Sequence, residues 1–453
     1  MFTSPLPLAP AVRALREGAL DPRDVVDEVC DRIDRSEPVL EALIDEPGRR
    51  RRLLADADRL LERHPEPGRR PALFGVLVGV KDIFEAEGFV TRGGTTVPPH
   101  VWSMPEAACV TALRDAGALV LGKTVTTEFA FYEPGPTRNP HDPAHTPGGS
   151  SSGSAVAVAA GYCHLALGSQ TIGSMIRPAA FCGIVGSKPT FGRVPTSGVL
   201  PFSESADTVG VFTQDVSGNA LALAVVTDGW RSAGGWSTAD GRRSADGGAS
   251  RAGADTSADR PVLGVPEGPY LEQAPDATRD AFEGHVAALE GAGYQVQRVR
   301  LFDDIEEVNV RHRRMAAAEM AAAHAEWFAQ YGSRYRPRTA EFLRLGQTVG
   351  AAELAAARAG RAKLRDEIEA AAAAAGVDVW LSPSAPGPAP EGLASTGDPI
   401  MNLPWTHAGL PTLTVPAASP FELPLGLQLS AGWMRVEPHF EWAGPIAAVV
   451  GPG

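Results

Sequence analysis

The sequence predicts an α/β fold, one large domain around a mostly parallel or mixed β-sheet. Three observations carry this. Short, densely apolar, β-branched runs such as "ALFGVLVGVKDIF" (Ala72–Phe84) alternate with helical patterns up to about Asp228, the rhythm of strands packed between helices. Strand-like runs return late in the chain, as "VDVWLSPS" and "LPTLTVPA", and need the earlier strands as partners. The 453 residues are 44% hydrophobic and 21% charged, enough apolar material for a large core.

Taken in order, residues 1–65 read as a helical segment. Val25, Val26, Val29 and Ile33 share one helical face, and Asp21-Pro22 makes a good helix start. Residues 66–227 hold the core. The run at 72–84 reads as a buried strand, "AACVTALRDAG" as a helix and "ALVLGKT" as a second strand. Residues 228–260 lose all hydrophobic period and fill with Gly, Ser, Ala, Asp and Arg, which predicts a low-complexity surface loop. Residues 261–453 restart with the strand "PVLGVPEG". Ala-rich helices over 280–291, 308–330 and 351–375 follow as an inserted helical region before the returning core strands. Three prolines in "AGWMRVEPHFEWAGPIAAVVGPG" count against a terminal helix.

The net charge of −13 argues against nucleic acid and anionic membranes as partners, since both need a basic face. The four cysteines, Cys30, Cys109, Cys163 and Cys182, form no C-x-x-C pair, so reduced thiols in a cytoplasmic protein are expected. The N-terminal segment does not read as a signal peptide, and no apolar run reaches the roughly 18 residues of a membrane span. No cofactor or metal is called for, and a homodimer is compatible with the sequence.

Lysine is scarce. It occurs only at Lys81, Lys123, Lys188 and Lys363, while arginine supplies 37 of the 41 basic residues. Arginine stays protonated in proteins, whereas a buried lysine can lose its proton. Each lysine is therefore a place to ask whether lysine chemistry is required, although codon bias accounts for some of them.

Two short motifs compete for attention. "GALVLGKT" (Gly117–Thr124) fits the phosphate-loop pattern, but its middle residues, Ala118 to Leu121, read as a strand, which cannot also wrap a phosphate. "GSSSG" (Gly149–Gly153) fits the nucleophile elbow with Ser151 at its centre, and Asp207 and His407 are candidate partners downstream. The preceding "PHDPAHTP" is a proline-rich loop, though, and not the buried strand that an elbow requires.

A third reading joins distant segments: Lys81 at the end of a buried strand, "GGSSSGS", and a second Gly-Ser step at Gly173-Ser174. "GVLVGVKDIF", "LGKTVTTEFA", "TRNPHDPAHTPGGSSSGSAVAVAAG", "LALGSQTIGS", "GSKPTFGR" and "GDPIMNLPWTHAGLPTLTVPA" resemble, in order, segments of the amidase signature family. These are serine hydrolases with a Ser–Ser–Lys triad. The resemblance implies a central mixed, twisted sheet covered by helices. It also implies that Lys81 is the base, that Ser150, held in a cis peptide bond, relays the proton, and that Ser174, 24 positions later, is the nucleophile. The backbone N–H groups of Thr171, Ile172, Gly173 and Ser174 would form the oxyanion hole.

The chemistry is coherent. A hydroxyl is a weak nucleophile and needs an adjacent base. A lysine serves at neutral pH only if desolvation lowers its pKa by about 3 units. The implied activity is hydrolysis of a small-molecule amide through an acyl-enzyme. The chain departs from the family's familiar D-x-G-G-S-I-R-x-P-A. Gln170 replaces the acid and Ile172 a glycine, so the turn must take a β-branched residue at negative φ. Arg177 follows the nucleophile by three residues instead of two, and either binds a substrate carboxylate or braces the loop. Pocket residues are expected from 130–135 and from the helices near 310–345. The alternatives are the amidase component of an amidotransferase, an esterase using Ser151, and a binding protein that keeps the fold.

Overall fold

The buried apolar runs become strands of a single sheet. The computed structural model describes residues 1–230 and 260–452. Most of the predicted loop over 228–260 therefore lies outside the described residues. The strands are β1 (Leu77–Lys81), β2 (Leu119–Thr124), β3 (Leu165–Gln170), β4 (Val185–Lys188), β5 (Thr208–Thr213), β6 (Leu263–Glu267), β7 (Val296–Arg300), β8 (Val379–Pro383), β9 (Thr412–Ala417) and β10 (Leu425–Ala431). They form one sheet in the order β2-β1-β3-β5-β4-β9-β10-β8-β6-β7. β1 runs parallel to β2 and β3, and β6 to β7 and β8. The central pairs from β3 through β10 to β8 are antiparallel. The sheet is thus mixed, and the late strands complete the early ones.

Helices cover it. In Pro22–Leu40, the Asp21 side chain accepts the Arg23 N–H at the cap and Pro22 opens the helix, where its missing N–H costs nothing. Val25, Val26, Val29 and Ile33 are all buried, each stabilising the fold by about 1.5–3 kcal/mol. Ser152–Ala159 is buried along its whole length and packs on β1, β2, β3 and β5.

Two expectations are corrected. The C-terminal segment does form a helix, Val436–Val450. Pro438 sits in its first turn, where N–H groups have no helical acceptor to lose. Pro445 lies inside and is tolerated because Val436, Phe440, Ala443 and Ile446 are buried. The helix expected over 308–330 is two helices, Ile305–Ala323 and Ala325–Tyr331. They divide at His324, whose buried ring bonds Pro201 O and Tyr335 Oη. The phosphate-loop pattern is strand β2, as anticipated. Lys123 pairs there with Asp82 at 3.3 Å and donates to Phe84 O and Thr91 Oγ1.

Candidate active site

Lys81 ends β1 and is fully buried. Parallel pairing sets Val80 opposite Leu167, which brings Ser169 of β3 beside the lysine. Lys81 Nζ lies 2.8 Å from Ser150 Oγ, 2.9 Å from Ser169 Oγ and 3.0 Å from Ser151 Oγ. Burial lowers its pKa to about 7, against a smaller opposing pull from Asp207. Lys188 is also buried and lowered to about 7, but its partners are the carbonyls of Leu410 and Pro189, which have no proton to give. Lys363 is exposed and pairs with Glu367. Geometry, not pKa alone, singles out Lys81.

The serine loop is tightly held. The Gly149–Ser150 peptide is cis. Ser150 O accepts from Thr127 N–H at 3.1 Å and Thr126 Oγ1 at 3.3 Å, and Gly149 O accepts from Arg177 Nη2 at 2.7 Å. A Cβ on Gly153 would stand 2.2 Å from Ala42 O and 2.4 Å from Val125 N. The second glycine of "GSSSG" is therefore needed for close helix packing. Ser151 is completely buried. Its Oγ lies between Lys81 and Ser169 O, with neither Asp207 nor His407 beside it. The elbow reading fails on this placement.

Ser174 lies between β3 and the helix Ile176–Cys182. Ser150 and Ser174 line one narrow pocket together with Ile172, Gly173, Arg177 and Phe131. Its cavity volume is about 10 Å³, close to the space of one water. Ala130 and Tyr132 belong to the same wall, as the expectation for 130–135 required. Phe129 and Ala130 both take left-handed backbone, with φ of 48° and 60°, a conformation costing about 1–2 kcal/mol each. Packing of the Phe129 ring on His324 and Tyr335 offsets this. The helices near 310–345 contribute no lining residue to this pocket. They supply the layer behind, where Phe342 stacks on Phe131 at 4.1 Å.

Carbonyl partners reveal how the loop after β3 is aimed. Thr171 O meets His312 Nε2 at 3.0 Å, Ile172 O accepts from Thr406 Oγ1 at 2.8 Å, and Gly173 O accepts from Arg177 N–H at 3.1 Å. In a trans peptide the N–H points opposite to the C=O. The N–H groups of Ile172, Gly173 and Ser174 are therefore turned away from these partners. Thr171 itself lies behind the pocket, its hydroxyl donating to Asp207 at 2.6 Å. Ile172 keeps a negative φ, as a β-branched residue must. Gly173 is required for space, since a Cβ there would stand 2.4 Å from Asn402 Oδ1.

Gln170 explains its own departure from the familiar motif. Its Oε1 accepts the N–H groups of Met175 at 2.8 Å and Ile176 at 3.1 Å, and its Nε2 donates to Thr406 Oγ1. An amide oxygen supplies the acceptor here, and Thr406 satisfies the extra donor. Arg177 is nearly fully buried. Its Nη2 bridges Gly149 O and Thr396 Oγ1, and the Tyr132 hydroxyl and the Asp398 carboxylate act on the same guanidinium. Sequence reasoning missed Ser151 and Ser169 as lysine partners, and also His312 and Thr406. Only "LGSQT" offered a signal, by setting a serine on the strand next to β1.

The amidase family profile matches residues 24–435. The chain belongs to the amidase family. Among curated members, it is 30% identical, over 98% of both chains, to the A subunit of the glutamyl-tRNA(Gln) amidotransferase of Synechococcus sp. (strain RCC307). It is 36% identical to the corresponding protein of Salinibacter ruber (strain DSM 13855 / M31), over 64% of this chain and 56% of the relative. Among solved structures, an amidase superposes with a TM-score of 0.84 at 30% identity, over 98% of this chain and 100% of the other. The peptide amidase of Stenotrophomonas maltophilia gives 0.76 at 28%, over 98% and 96%. This amidase-family chain thus carries the expected fold, and no described helix is long and apolar enough to cross a membrane.

Proposed function

We propose that the protein hydrolyses the C–N bond of a small amide through an acyl-enzyme on Ser174. The observation that carries this is a buried lysine whose three polar partners are all serine hydroxyls. A neutral amine has two N–H donors and one lone pair. Ser151 Oγ lies 3.3 Å from Ser169 O, which uses its proton and leaves it to accept from Lys81. Of the other two, Ser150 shares the pocket of Ser174 and Ser169 does not line it, so Ser150 is the hydroxyl that gives its proton to the lone pair. It recovers one from Ser174, which shares its pocket. Ser174 Oγ attacks the amide carbon, and the N–H groups of Ile172, Gly173 and Ser174 stabilise the oxyanion. Each such donor contributes about 3 kcal/mol in the transition state. The proton returns through Ser150 to the leaving nitrogen, and water cleaves the acyl-enzyme by the reverse path.

Arg177 points to the substrate class. A buried cation is costly unless it is paired, and Arg177, nearly fully buried, belongs to the pocket wall. A substrate carboxylate entering the pocket would pair with this charge. Ammonia or amine release should be assayed on matched amides with and without a terminal carboxylate. Arg177→Ala is expected to raise KM for the acids at least tenfold more than for the neutral amides. An equal effect on both sets would leave Arg177 as a brace for Gly149 and Thr396 only.

The full-length likeness to an amidotransferase component favours one second reading, an amidase that feeds a partner. Glutamine-dependent ammonia release that requires a co-purifying protein would select it. Release by the isolated chain from a small amide would select the first.

A further inference from the structure

Behind the oxyanion loop two buried histidines and an arginine form a chain that the catalytic steps do not use. Arg311 Nε lies 3.3 Å from His407 Nε2, His407 Nδ1 lies 3.1 Å from His312 Nδ1, and His312 Nε2 lies 3.0 Å from Thr171 O. Both rings are buried, and desolvation keeps both neutral, His312 with a pKa near 4 and His407 near 2.

One proton arrangement satisfies every contact. A carbonyl can only accept, so His312 Nε2 carries a hydrogen, and the Nδ1 of that neutral ring must accept. His407 Nδ1 therefore donates, which leaves His407 Nε2 to accept from Arg311 Nε, a group that can only donate. Each member fixes the tautomer of the next, and the chain ends on the peptide whose N–H belongs to Ile172. His407 is held from its backbone as well, by Arg361 Nε on its carbonyl at 2.9 Å.

We infer that His312 is a positioning residue that aims the Ile172 N–H into the oxyanion hole, with His407 and Arg311 fixing its tautomer. The inference rests on the acyl-enzyme reading above. An N–H aimed at the developing oxyanion matters in the transition state more than in substrate binding, so the effect should appear in kcat rather than KM.

The test uses the full chain, with kcat counted per Ser174 titrated by a fluorophosphonate so that unfolded protein does not count. His312→Ala should lower kcat roughly 10- to 100-fold, below the loss from deleting an oxyanion donor outright, with KM changed less than about twofold. His312→Gln, which keeps a donor near the Nε2 position, should recover most of the loss. Adding His407→Ala to His312→Ala should cost no more than His312→Ala alone, because the two act as one chain. Unchanged kcat in His312→Ala, a rise in KM alone, equal losses in the Ala and Gln variants, or additive losses in the double variant would each overturn the inference. Full turnover by Ser174→Ala would instead remove the reading beneath it.

Discussion

Ser174→Ala is expected to lower kcat by about 10⁴- to 10⁶-fold, the scale on which losing a serine nucleophile disables a hydrolase. The fold should survive, because the change removes one hydroxyl from a pocket wall and no core packing. Ser151→Ala provides the contrast. Ser151 is fully buried and its Oγ lies between Lys81 and Ser169 O. Its loss should cost about 1–2 kcal/mol of stability and only part of the activity. Steady-state rates and thermal midpoints of the two variants, side by side, separate nucleophile from support. The reverse ranking of rates would reinstate the elbow.

Replacing Lys81 by alanine or arginine has the second largest effect. General-base catalysis contributes about 10²- to 10⁴-fold, and a guanidinium cannot serve because it stays protonated. Arginine should therefore fail as completely as alanine despite keeping the charge. The pH dependence follows from the sign of the shift. Burial lowers the Lys81 pKa to about 7, and the neutral amine is the active form. Hence kcat/KM should rise with pH through a midpoint near 7 and fall away below it. A lysine at its ordinary value would place that midpoint more than three units higher. A profile flat from pH 6 to 9 would exclude Lys81 as the base.

Legibility from sequence follows burial. β1, β2, β8 and β9 are readable because buried strands are nearly continuous apolar runs. β7 is not, since "VQRVR" lies at the sheet edge and is only partly buried. Asp21-Pro22 marks a helix start because capping is local. His324 gives no local sign of a helix break, since its ring is held by Pro201 and Tyr335 from elsewhere in the fold. The same division runs through the site. Lys81, Ser150 and Ser174 are legible through an ordered resemblance; the structure sets both serines in one pocket and Lys81 against Ser150. Ser169, His312 and Thr406 act across sheet pairing or between distant helices, so no spacing encodes them. Gln170 reads as a loss in the sequence, yet it keeps the acceptor the turn needs.

The central claim is that Ser174, and not Ser150 or Ser151, is acylated. Its most direct test is to label the intact protein with a fluorophosphonate and map the adduct by peptide mass spectrometry. A single phosphonyl group is expected on Ser174, absent from Ser174→Ala and from Lys81→Ala. An adduct on Ser151, or a Ser174→Ala protein that still labels and turns over, would contradict it.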